Sequence, residues 1–355
     1  MNEQVLDQAG KVREGEELDA NVVTRFIKSV VPDVQGTARI KQFPGGASNL
    51  TYAISFDNKE YILRRPPFGK KAKSAHDMGR EYRVMKKLKP VFPYVPDMVA
   101  FCDDESVLGC EFYVMERLIG IIPRADMPEG VNLTAEQGRQ LCENFWDRLI
   151  ELHKVDYKAA GLEDLGKGEG YVVRQIEGWS KRYRDAKTPD MPDYEDIMAW
   201  LHANMPAQVG VCVIHNDYRL DNVVLDPNDP TQLIGVLDWE MATLGDPLMD
   251  FGNTLAYWIE AGDPESMQFQ RRQPSHIPGM MTRAEVVDYY CDKMNLSTDN
   301  FLFYQVYGVF RLGVILQQIY YRYYHGQTKD QRFASFGKMV QLLEQQCRDL
   351  LKGKL

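Results

Sequence analysis

The periodicity of the apolar residues changes once, near Gly120, and that change limits the folds open to this chain. Before it, the segments 38–43 (ARIKQF), 50–56 (LTYAISF) and 60–64 (EYILR) are short and rich in β-branched and aromatic residues, with Gly or Asp-Asn turns between them. They predict a three-stranded antiparallel meander. A helical pattern follows from about Ala75 to Leu88, and 111–118 (EFYVMERL) predicts a further strand that closes this unit. After Gly120 helices dominate, at 134–154, 173–185, 193–204, 247–260, 282–292, 298–324 and 331–351. Only 211–215, 222–225 and 233–237 interrupt them as short strands. A small β-rich lobe (1–116) and a large helical lobe (117–355) make a two-lobed α+β architecture, and 355 residues exceed one core of ordinary size. Asp19 caps a helix that Pro32 ends, and residues 1–16 read as a mobile tail.

Charge and composition remove several function classes. A net charge of -9 and a pI near 5.3 are a poor match for gripping a nucleic-acid backbone. Six cysteines stand far apart and form no Cys-x-x-Cys pair, which suggests reduced thiols in a cytoplasmic protein rather than a zinc or disulfide framework. The N-terminus lacks the apolar core of a signal peptide. The stretch 301–324 is apolar, but Gln305, Arg311, Gln317 and Gln318 interrupt it, so it predicts a buried helix and not a membrane span.

The strongest chemical signal is His215-Asn216-Asp217-Tyr218-Arg219-Leu220-Asp221-Asn222, followed sixteen residues after Asn222 by Asp238-Trp239-Glu240. A strand delivers one Asp into a loop, an Asn follows five positions later, and a second strand ends in another Asp. Phosphoryl transfer needs this set. One carboxylate orients an attacking hydroxyl and accepts its proton, a role that suits Asp217. An amide oxygen and a second carboxylate hold Mg²⁺ against the phosphates of ATP, which suits Asn222 and Asp238. His215 braces the loop through its ring nitrogens. Asp221, Asp226, Asn228 and Asp229 read as turn residues.

Weaker elements stand where a nucleotide site needs them. The turn carrying Gly45, Gly46, Ser48 and Asn49 offers N–H groups and side-chain donors to a triphosphate, and is equally an ordinary hairpin turn. Arg64 pairs in principle with Glu81, seventeen positions on, although alone the pair reads as a surface salt bridge. Backbone groups of Glu116 and Leu118 are placed to hydrogen-bond adenine, or belong to a plain core strand. Arg65, Lys70, Lys71 and Lys73 form a basic loop, either solvated or facing substrate phosphates. Arg174, Gln175 and Trp179 lie on a helical face suited to substrate selection, and Tyr320 on another. Arg311, inside an apolar helix, needs a carboxylate partner or a ligand. Asp246-Pro247 reads as a helix N-cap with proline at the first turn.

Together these motifs resemble the aminoglycoside phosphotransferase and choline kinase family, a branch of the protein-kinase-like fold. The family's H-G-D-x-x-x-x-N and I-D-W-E signatures stand here as HNDYRLDN and VLDWE, and its G-D-P-x-x-D as Gly245 to Asp250. The resemblance covers residues 19–350. GGASNLTY, YILRRPP, SAHDMGREYRVMKKL, YVVRQIEGW and FRLGVILQQIYYR look like the kinase-like domain associated with acyl-CoA dehydrogenases. That implies ATP and Mg²⁺ as cofactors, a hydroxylated small-molecule acceptor such as a hydroxyacyl-CoA, and Asp250 as a tether of the catalytic loop. Asn216 stands where the family has glycine, an exchange expected to affect loop shape. Arg64 stands where protein kinases have lysine; it keeps the charge and binds phosphate as a fork.

The competing class is a nucleotide-binding pseudokinase that acts as a regulatory or scaffolding module. Retention of Asp217, Asn222 and Asp238 together argues against it. A protein substrate is disfavoured because only seven residues separate Asp238 from Asp246, leaving little room for a peptide-docking loop.

Overall fold

The computed structural model describes residues 5–44, 49–68 and 77–354, so Gly45, Gly46, Ser48, Lys70, Lys71 and Lys73 lie outside the described residues. Alternating side chains make the first sheet. β1 (Arg39–Gln42), β2 (Leu50–Ser55) and β3 (Glu60–Arg65) form the expected meander, and Asp19 caps α1 (Ala20–Val30) through the N–H groups of Asn21 and Val22. Val23 and Ile27, one helical turn apart, bury against Tyr61, Leu63, Phe112 and Val114 on one face of the sheet. Each such burial is worth roughly 1.5–3 kcal/mol. The alternate residues Ile62, Tyr113 and Met115 face the other way, toward Val84, Met85 and Leu88 of α2 (Met78–Leu88).

Two strands escape the sequence pattern. β4 (Met98–Cys102) pairs with β5 (Phe112–Glu116), giving a five-stranded sheet of order β1-β2-β3-β5-β4. The prolines at 90, 93 and 96 mask it as loop. The described part of the expected tail is docked. Gly10 exchanges backbone hydrogen bonds of 2.8 and 3.0 Å with Gln42, the Tyr52 hydroxyl donates to the Glu16 carbonyl, and Val5 is buried. Backbone pairing on an edge strand needs no apolar side chains, so composition did not reveal it.

Beyond the single turn α3 (Glu105–Leu108), the helical part contains α4 (Ala135–His153), α5 (Tyr171–Ala186), α6 (Glu195–Ala203) and α7 (Pro247–Leu255). After the short α8 (Glu265–Gln268) come α9 (Arg283–Met294), α10 (Phe301–Tyr324) and α11 (Phe336–Leu351). Small ribbons hold the loops between: β6 (Cys212–Ile214) pairs with β9 (Thr243–Gly245), and β7 (Val223–Leu225) with β8 (Leu233–Val236). β9 is the second unforeseen strand: Thr243-Leu244-Gly245 has one apolar side chain, whereas the equally short β6 and β7 are apolar throughout. Asp246 caps α7 with Pro247 at its first turn, as expected. All six cysteines are free and buried. Among the described residues no helix is long and apolar enough to cross a membrane.

α10 crosses α7 so closely that a Cβ on Gly308 would stand 2.1 Å from the Gly252 carbonyl oxygen. Only glycine fits. Gly308→Ala is therefore expected to lower stability by about 1–3 kcal/mol, the usual cost of overpacking. Urea unfolding monitored by circular dichroism checks this; an unchanged midpoint would contradict the close crossing.

Candidate active site

The loop after β6 is positioned by one buried carboxylate. Asp250, on α7, accepts the backbone N–H of His215 (2.9 Å) and of Asn216 (2.7 Å) and the Nε2–H of His153 (3.0 Å). Burial by itself raises its pKa, but the hydrogen bond and charge of His153 and the His215 N–H outweigh that and hold it below the usual carboxylate value. Asn216 has φ 65°, in the left-handed region that asparagine tolerates. Its role exceeds loop shape. Its side chain accepts from the Tyr171 hydroxyl, donates to the Met241 carbonyl and accepts from Asn253, while its carbonyl accepts from Arg311 at 3.0 Å.

The His215 ring is fully buried, and burial lowers its pKa, so the ring is neutral. Nε2–H donates to the Leu237 carbonyl, and Nδ1 accepts from the Asp217 N–H. The ring thus ties the strand end before Asp238 to the peptide of Asp217, the expected brace. Asp217 is held on both carboxylate oxygens, by Asn222 Nδ2 at 2.9 Å and by Arg219 at 2.6 Å. Burial, opposed by Arg219, leaves its pKa pushed up to about 6. Arg219 also pairs with Asp221 and stacks on Tyr257. The sequence reading passed over it, although a cation flanked by the apolar Tyr218 and Leu220 inside the motif was the available signal.

The β-rich lobe reaches this loop through charge. Arg64 forks between Glu81 (2.5 Å) and Asp238 (3.1 Å), and both Arg64 and Glu81 are buried, so the pair is no surface salt bridge. Asn49 is buried and donates its amide to Glu240 at 3.1 Å, an inter-lobe tie rather than the free phosphate donor expected of it. Arg80, on α2, adds bonds to the carbonyls of Glu240, Leu165 and Ala242. Glu116 and Leu118 line an apolar cavity of about 90 Å³ with Ile62, Met115 and Leu237. The Glu116 N–H is already bonded to Asp97, so only its carbonyl suits the expected adenine contact. Arg65 is buried against Phe68 and the Leu108 carbonyl and is not part of a basic loop surface.

Asn222 and Asp238 fit a magnesium ion. With Asn222 Nδ2 spent on Asp217, the amide oxygen is the free end, and Asp238, at φ 67°, keeps 34% of its side chain exposed. Among the described residues no three His, Cys, Asp or Glu form a cage. Mg²⁺ in phosphoryl-transfer sites needs none, since it takes one or two carboxylates plus substrate phosphates.

Beside the loop lies a cavity of about 300 Å³ lined by Lys167, Arg174, Arg182, Arg311, Trp179 and Asn216, among others, with no carboxylate in its wall among the described residues. Trp179 sits between two guanidinium groups, Arg182 at 4.6 Å and Arg311 at 5.1 Å from its ring centre. Arg311 thus answers its burial with the Asn216 carbonyl and an aromatic face instead of a carboxylate. Tyr320, expected near the acceptor, instead donates to Asp190 at 2.6 Å and does not line this cavity.

A five-stranded lobe over a helical lobe, with these groups between, is a protein-kinase-like fold. The chain belongs to the phosphotransferase enzyme family, whose sequence model matches residues 39–284. It is 32% identical over 341 residues to acyl-CoA dehydrogenase family member 10 of Mus musculus, an alignment covering 95% of this chain and 32% of that protein. The chain thus spans about a third of that relative's length. A solved structure from Ralstonia eutropha, provisionally assigned as an aminoglycoside phosphotransferase, superposes with TM-score 0.80 at 29% identity, covering 95% of this chain and 99% of the other. Choline kinase from Cryptosporidium parvum shares the fold at TM-score 0.62 and 13% identity, over 95% and 98% of the two chains.

Asp250→Ala would leave two buried N–H groups and the His153 Nε2–H unpaired, at about 1–3 kcal/mol for each unmet group. A loss of several kcal/mol in chemical denaturation is expected. A variant as stable as the parent would show that the loop holds itself.

Proposed function

We propose that this chain is an active small-molecule kinase that moves the γ-phosphoryl group of ATP to a hydroxyl of an anionic metabolite. In this reading residues 1–116 bind nucleotide and 117–355 supply catalysis and acceptor selection. The observation that carries it is a chain of contacts: Asn222 bonds Asp217, the Asp238 charge acts on Asp217, and the Arg64–Glu81 pair reaches Asp238. Asp217 orients the acceptor hydroxyl and takes its proton. Arg64 brings positive charge toward the phosphates, and Arg219, paired with Asp217 and Asp221, holds the base in place. His215 and Asp250 position Asp217 without touching substrate. Bound at Asn222 and Asp238, Mg²⁺ would offset phosphate charge. Gly45, Gly46 and Ser48 keep their proposed place over the triphosphate, and Glu116 and Leu118 theirs at the base.

The basic cavity argues for the acceptor's sign. Four cations and no carboxylate repel a polycationic aminoglycoside or choline and attract phosphate or carboxylate groups. A hydroxyacyl-CoA meets that requirement, in line with the relatives' names. Retention of the complete Asp217, Asn222 and Asp238 set speaks against a pseudokinase.

Asp217→Asn is expected to cut turnover at least about 10²-fold with little change in nucleotide affinity; near-normal turnover would remove Asp217 from its role. The active form is the carboxylate, and its pKa lies at about 6. Activity should therefore fall as pH drops through that value, and a kcat/KM profile flat across it would contradict the assignment. Arg182→Glu should raise the acceptor's KM by about tenfold or more while leaving that of ATP nearly constant. Equal shifts in both would place the acceptor elsewhere.

A further inference from the structure

A second cavity, of about 350 Å³, opens on the opposite flank of the catalytic loop. Asn216 borders the basic cavity; Arg219 and Asp221 border this one. Helix α10 separates the two. Arg311 faces the basic side, and Leu312, Ile315, Leu316 and Ile319, spaced as one helical stripe, face the other. Phe336 and Met339 of α11 form the facing wall. Leu312, Ile315, Ile319 and Phe336 are only partly buried, although they sit on helices packed against each other. Leaving apolar side chains uncovered around a void costs stability. Such a space beside reactive groups is the usual form of a ligand site.

Its lining is mostly apolar, and besides the three arginines and Asp221 its polar groups are Tyr257, Gln270 and Gln346. Arg219 is held by Asp217 and Asp221 and stacked on Tyr257, so its charge is neutralised before it reaches the cavity. Arg272 and Arg322 line it as exposed side chains, and neither has an ion-pair partner among the described residues. The stripe of α10 with Phe336 and Met339 suits an apolar group, and the exposed Arg272 and Arg322 tolerate an anion beside it.

We infer that this cavity binds the hydrocarbon chain of the acceptor. The acceptor hydroxyl then lies at Asp217, its anionic end in the basic cavity and its chain between α10 and α11. The inference rests on the proposed anionic acceptor and adds its second half: selection for chain length by Ile315, Ile319 and their neighbours.

The test is a binding series with the full chain and 3-hydroxyacyl coenzyme A thioesters of four, eight and twelve carbons, measured by calorimetry. Burying methylenes tightens binding by up to about fourfold each. The eight-carbon probe is expected to bind at least about tenfold more tightly than the four-carbon one. Ile315→Trp, and separately Ile319→Trp, fill the cavity and should bring the ratio of twelve-carbon to four-carbon affinity close to one. Each variant's fold is checked by circular dichroism, and if one misfolds, the wild-type series and the other variant decide. Equal affinity for all lengths, with binding still lost in Arg182→Glu, overturns the chain site and leaves the anionic acceptor standing. Length dependence that persists in a folded tryptophan variant also overturns it. If no thioester binds at any length, the acceptor reading fails and this inference fails with it.

Discussion

One buried carboxylate orders the centre of the molecule. Asp250 has no contact with solvent, so every acceptor position must be met from inside the protein. The N–H groups of His215 and Asn216 and the ring of His153 meet them. Those bonds set the peptide plane before Asp217, and the left-handed Asn216 then turns the chain so that Asp217 emerges toward Asn222. α7, which carries Asp250, is in turn fixed by the glycine-to-glycine crossing with α10. The same α10 presents Arg311 to the Asn216 carbonyl. A packing constraint between two helices thus becomes a constraint on the position of one carboxylate oxygen.

The lobes meet through ions and amides as much as through apolar packing. Arg64 bridges Glu81 and Asp238, Asn49 reaches Glu240, and Arg80 spans to three carbonyls. Such contacts are directional, so the strand end carrying Asp238 is held in register with α2 as well as with the loop 215–222. The protein's charge of -9 says nothing about the local field here. Lys167, Arg174, Arg182 and Arg311 gather their charge in one wall, and Trp179 lets two guanidinium groups approach through its ring faces.

Much of this was legible in the residues, for reasons that can be named. Runs of β-branched and aromatic residues broken by turn residues at 39–65 encoded β1 to β3 because both sheet faces are covered, one by α1 and the other by α2. The spacing from His215 to Asn222 encoded a loop because the groups must meet in space, and Asp246-Pro247 announced α7 through capping chemistry. β4 and β9 were hidden, one behind prolines and the other by having a single apolar side chain. Asn49 and Tyr320 were misplaced because spacing tells which face a side chain occupies, not which neighbour from a distant segment claims it. Arg219 and Arg182 went unnoticed although Asp217 and Trp179 stand only two and three residues away, because side-chain direction, which spacing leaves open, decides that they pair.

The central claim is that this site phosphorylates hydroxylated anions. Mg²⁺-dependent ADP release from ATP, measured with hydroxyacyl coenzyme A thioesters, kanamycin and choline as acceptors, tests it most directly. The account predicts acceptor-dependent release with a thioester and none above background with either cation. Release driven by kanamycin or choline, or no release with any thioester whatever the position of its hydroxyl, would contradict it.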